Sequence, residues 1–107
     1  MTPDEEQLAK AFGSALKTIR LRRSLSRRQL SELASGATYL VALERGAKQP
    51  TIGKLDEIAH QLEIHPLTLL MMAYLIKDGT DPTQLMIRMR MDLTDFKIWP
   101  DAESEEE

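Results

Sequence analysis

The chain contains no cysteine, which excludes a disulfide framework and any thiolate metal site and suits a reducing compartment. Long apolar runs are absent too. The longest, Leu67 to Ile76, is interrupted by Thr68 and is about half of what a bilayer-spanning helix needs. The first residues turn acidic at Asp4 and lack the basic and apolar parts of a signal peptide. A soluble, cytoplasmic protein with no membrane partner is expected. Histidine is scarce: His60 and His65 lie five apart with Glu63 between them, and a zinc site would need a further ligand that the sequence does not offer. There is no glycine-rich phosphate loop, and no serine or carboxylate pair has a plausible histidine partner. An enzyme is therefore not expected, and no cofactor or metal is implied.

What the chain has is an uneven distribution of charge. The net charge of −3 would argue against a polyanionic partner if it were spread evenly. From Lys10 to Lys54, however, ten basic residues face only Glu32 and Glu44, a balance of plus 8. From Leu55 onward, twelve acids face four basic residues, a balance of minus 8. A solvated charged surface mixes its signs, whereas a segregated basic block is the electrostatic footprint of a protein that meets a polyanion.

The basic block coincides with two short helical patterns. Ser26 and Gln29 make a capping box, after which Leu30, Leu33 and Ala34 recur at helical spacing. Ser35-Gly36 breaks the pattern as a turn. Leu40 and Leu43 then resume it from Ala37, and Gly46 closes it with a residue suited to the left-handed conformation. Two helices across a short glycine-containing turn make a helix-turn-helix.

Around this unit the chain reads as helix throughout its first 77 residues. Thr2-Pro3-Asp4-Glu5 starts a first helix running to about Arg22, with Leu8, Phe12, Ala15, Leu16 and Ile19 on one face. Thr51 caps a fourth helix with an apolar face of Ile52, Leu55, Ile58, Ala59 and Leu62. A fifth, Pro66 to Lys77, is apolar on nearly every side. Leu67, Leu70, Met71 and Tyr74 are expected on the core, which would leave Leu69, Met72, Ala73 and Ile76 for a second copy of the chain or for the C-terminal segment. Residues 78–99 form an extension. Asp81-Pro82 favours a helix there, although the alternation of Ile87, Met89, Met91 and Leu93 with charged residues suits a strand equally. Ile98-Trp99 is expected to dock back on the domain. Residues 100–107 read as a disordered acidic tail.

These elements resemble the Cro/CI-like (XRE) helix-turn-helix repressors of phages and bacteria. The resemblance runs from about Leu16 to Leu70 and rests on Leu16-Lys17-x-x-Arg20, Leu25-Ser26, Leu30-Ser31, Leu40, Leu43-Glu44-Arg45-Gly46, Pro50-Thr51, Leu55, Ile58-Ala59 and Leu62. Between Leu25 and Glu44 the chain is one residue shorter than the family pattern, and the missing residue falls at the turn. The resemblance implies an all-α, five-helix lambda-repressor-like domain that binds double-stranded DNA. It also implies an ion pair between Arg20 and Glu44. By family position, Arg27, Arg28, Gln29, Arg45, Lys48 and Gln49 would meet phosphate, while Ala37, Thr38, Tyr39, Val41 and Ala42 would face bases. None of those five is Arg, Gln or Asn, so readout would lean on thymine methyls, two hydroxyls and DNA shape. The expected function is a homodimeric repressor on an inverted-repeat operator. The competing expectation is an antitoxin-like or adaptor module that binds a protein through the fifth helix and the Met-rich extension.

Overall fold

The computed structural model describes residues 1–33 and 36–99, so Ala34, Ser35 of the expected turn and the expected acidic tail lie outside the described residues. Every element described is helical: α1 (Pro3–Arg22), α2 (Arg27–Leu33), α3 (Ala37–Glu44), α4 (Ile52–Gln61), α5 (Pro66–Asp78) and α6 (Pro82–Asp95). The starts follow the local grammar of the sequence. Thr2 Oγ1 accepts from the Glu5 amide at 3.2 Å while the Glu5 carboxylate accepts from the Thr2 amide at 2.9 Å. Ser26 and Gln29 repeat this reciprocal pair at 3.0 and 2.7 Å. Thr51 accepts from the Lys54 amide, and the His65 ring accepts through Nδ1 from the Leu67 amide at 3.0 Å. His65 is thus the cap of α5.

The core forms where α1 crosses the other helices. Phe12, Ala15 and Leu16 of α1 pack with Leu30, Leu40, Leu43, Ile58 and Leu62 in one buried cluster that also takes in Leu69 and Ala73. α3 and α5 both pack on α1, and α2 also meets α4, so the helix-turn-helix and the later helices share one core. Gly46, at φ +74°, ends the α3 region in the left-handed conformation, and a Cβ there would come within 2.8 Å of the Lys10 Cα. Only glycine satisfies both demands.

Three expectations are corrected by the packing. Leu69 and Ala73, expected on an intermolecular face, are fully buried inside the chain, and Met72 packs against the same core. Leu67 and Tyr74 instead face outward at 63% and 38% exposure. The faces of α5 are therefore partly exchanged relative to the expectation, since Leu70 still packs on the core and Ile76 stays 44% exposed. Ile52, expected in the core, is 86% exposed at the first position of α4. Ile98-Trp99 does not reach the domain. Trp99 folds back on α6, its amide donating to Leu93 O at 3.1 Å and its ring lying 5.6 Å from the Arg90 guanidinium. Among the described residues no helix is long and apolar enough to cross a membrane.

Candidate nucleic-acid interface

α3 is held from its far end. The Glu44 side chain, 2% exposed, accepts from Arg20 Nε at 2.7 Å and Arg20 Nη2 at 2.9 Å, in the bidentate geometry that planar guanidinium favours. A third bond, from Arg27 Nε at 3.1 Å, brings in α2. Arg20 also donates to Leu25 O at 2.8 Å, which fixes the entry to α2. One carboxylate therefore joins α1, α2 and α3. Burial alone would push its pKa up, but the hydrogen bonds and charges of Arg20 and Arg27 outweigh burial and hold it below its ordinary value of 4.5.

The opposite end of α3 is open. Its N-cap is Gly36, so no side chain caps the first turn, and Ala37 and Thr38 are exposed there. Tyr39 is half-buried against the core, with the Lys48 ammonium 5.9 Å from its ring centroid. This distance is within cation–π range. Gly36, Ala37, Thr38, Tyr39, Ala42 and Lys48 line one shallow depression. A second, at the start of α2, is lined by Ser26, Arg27, Arg28 and Gln29 together with Arg20 and Leu21. Small or hydroxyl-bearing side chains at the tip of a helix, flanked by cations, offer polar edges to bases and positive charge to phosphates.

The residues expected at phosphate are not equivalent. Arg28 extends into solvent with an 89% exposed side chain, 3.5 Å from Glu32, and Arg45 and Lys48 are also exposed. Arg27 is half exposed and shared with Glu44. Gln29 spends its side-chain oxygen on the α2 capping box. Gln49 donates to Glu5 O at 3.1 Å and ties its loop to α1. Of the base-facing set, Val41 and Ala42 are half-buried, so Ala37 and Thr38 reach furthest. Arg23, counted in the basic block, donates instead to Leu62 O at 2.9 Å and Glu63 O at 3.3 Å, meeting carbonyls at the end of α4. No pattern in the sequence separates Arg23 from its neighbour Arg22. Among the described residues no group of three or more potential metal ligands occurs.

A helix-turn-helix family model matches residues 16–69. Two solved structures of the clp gene regulator ClgR from Corynebacterium glutamicum are similar to this chain. One has 31% identity and a TM-score of 0.60, covering 63% of this chain and 87% of the other. The second has 26% identity and a TM-score of 0.64, covering 77% and 88%. No curated protein matches by sequence.

Proposed function

Because this chain belongs to the XRE-type helix-turn-helix family, we infer that it is a DNA-binding transcriptional regulator, and we propose that it acts as a homodimeric repressor on an inverted-repeat operator. The observation that carries this reading is the uncapped, exposed start of α3, with Thr38 at its tip and Lys48 beside it. In this docking mode the second helix enters the major groove by its first residues while the first helix meets the backbone. Thr38 would read a base edge, Ala37 would accept a thymine methyl, and Arg27, Arg28, Arg45 and Lys48 would neutralise phosphates.

Selection of binding sites from random duplex DNA, followed by footprinting, tests the reading. A single palindromic consensus protected in two half-sites supports it; the absence of any enriched sequence refutes sequence-specific recognition. Two substitutions separate the assigned roles. Arg28→Ala is expected to weaken binding to all duplexes alike and to flatten the salt dependence by about 0.9 in logarithmic slope, since a phosphate contact releases counterions but carries no sequence information. Arg28 is preferred to Arg27 for this purpose because removing Arg27 also strips a partner from Glu44. Thr38→Ala is expected to relax discrimination at one or two operator positions by roughly 1 to 3 kcal/mol with random-sequence affinity unchanged. At position 39 the informative change is Tyr39→Phe, which removes the hydroxyl and keeps the half-buried ring. Equal losses on operator and random DNA would show that these side chains do not read bases.

A further inference from the structure

Among the cations expected at phosphate, Lys48 differs from the rest in lying over an aromatic ring, that of Tyr39, at 5.9 Å from the centroid. The loop that carries it is tied on both sides. The Gly46 amide donates to Leu43 O at 3.0 Å and the Ala47 amide to Ala42 O at 2.9 Å, so the chain turns back on α3 as it leaves it. On the other side, the Gln49 side chain donates to Glu5 O at 3.1 Å, and Pro50 restricts the backbone of Gln49. Lys48 thus stands between one residue fixed to α3 and another fixed to α1. Its side chain starts from a set position, and less freedom is lost in holding it over the ring.

Tyr39 meets Lys48 from the first turn of α3. Its half-buried side chain packs against the core cluster, so the ring is held between an apolar support and a cation. Both residues border the depression at the start of α3, beside Ala37 and Thr38. A tyrosine side chain has two rotatable angles before its hydroxyl, and a ring gripped in this way leaves neither free.

From this geometry we propose that Lys48 is a positioning residue for base reading: it holds the Tyr39 ring so that the phenol hydroxyl is aimed before a base arrives. The role rests on the DNA-binding reading and adds to the phosphate contact given to Lys48 there. A lysine at phosphate attracts every duplex alike, whereas a side chain locked by its neighbours favours the one sequence it fits. Cation–π attraction strengthens as water is displaced, so entry of α3 into a groove tightens the grip on the ring as reading occurs.

NMR of the free chain tests the contact. The Lys48 Hε resonances should be shifted upfield by the ring current of Tyr39, and should remain so in Tyr39→Phe, which keeps the ring. Binding tests the role, with the consensus duplex returned by site selection set against a scrambled duplex of the same composition. Lys48→Met should flatten the salt dependence on both duplexes by about 0.9 in logarithmic slope. It should in addition lower the consensus-to-scrambled affinity ratio by roughly 3- to 10-fold. Lys48→Arg keeps a cation that can lie over a ring and should preserve the ratio. With Tyr39→Phe already in place there is no hydroxyl to aim, so adding Lys48→Met should leave the ratio where it was. Lys48 resonances without the upfield shift, a ratio unchanged by Lys48→Met alone, or one that still falls beside Tyr39→Phe would each overturn the proposal. If site selection returns no preferred duplex, base reading and this role are refuted together; a preferred duplex whose ratio ignores Lys48 refutes the role and leaves the reading standing.

Discussion

Gly13→Val is expected to lower the melting temperature by about 10 to 20 °C. Gly13 is buried in the middle of α1, where α3 lies directly against its backbone. A Cβ there would overlap the carbonyl oxygen of Leu43 and come within 2.7 Å of that of Glu44. Both obstacles are main chain at the clamped end of α3, so neither can swing aside as a flexible side chain would. Overpacking at a rigid site costs roughly 1 to 3 kcal/mol, and each kcal/mol moves the midpoint of a domain this size by about 4 to 8 °C. Gly13→Ala is informative because helix propensity opposes the clash. Alanine gains about 1 kcal/mol over glycine inside a helix, yet contact with two carbonyl oxygens outweighs that gain and the variant should still be destabilised. Gly53 supplies the control. It lies in the first turn of α4, where an added Cβ would have nothing within 4 Å, so Gly53→Ala should stabilise by up to about 1 kcal/mol. Opposite signs from one substitution in two helices would confirm the cause as close approach; a neutral Gly13→Ala would remove it.

Arg20→Met should be the other severe change, with a loss of about 3 to 5 kcal/mol measured by urea unfolding at neutral pH. The figure is that for breaking a buried pair and leaving one charge behind. Glu44 would keep only Arg27, whose side chain is 48% exposed, in place of the bidentate Arg20. The same carboxylate makes the fold sensitive to acid. Because its pKa is depressed in the folded chain, the stability it contributes is fully present above its ordinary value near 4.5 and is lost as pH falls through the lower folded value. Glu44→Gln should therefore be less stable at neutral pH, with a flatter decline below about pH 4.5 than the wild type. An unchanged acid limb in Glu44→Gln would show that other carboxylates govern it.

Where the chain's signals are local, the sequence carried the fold. Thr2 with Glu5, Ser26 with Gln29, and Thr51 before Lys54 each satisfy free amides within one turn, so spacing alone locates three helix starts. Pro66 and Pro82 mark two more, the latter resolving the helix-or-strand ambiguity of residues 82–95 as α6. What could not be read were relations between elements. α5 is apolar on nearly every side, so it has no dominant face, and its packing on α1 and α4 decides which side turns inward. Gly13 looks like a weak point in a helix until α3 is placed against it. In the candidate interface the residue types were legible, but their availability was not. Arg23 and Gln49 are committed to backbone carbonyls, Gln29 to a cap, and Arg27 in part to Glu44, each through a partner set by three-dimensional placement.

The anchoring of α3 at one end has a consequence for how this unit can vary. The helix behaves as a cantilever: Glu44 is clamped by Arg20 and Arg27, and Gly13 and Gly46 let α1 close around the same end. The fixed end sets the tilt of the helix, so the link from α2 has only to reach the free end. A connection that bears no orientational load can gain or lose a residue at little entropic cost. This accounts for a turn one residue shorter than the family pattern in a chain whose Arg20, Glu44 and Gly46 all match it. Diversity in such a lineage should accumulate at the tip and in the link, with the root of the beam held constant.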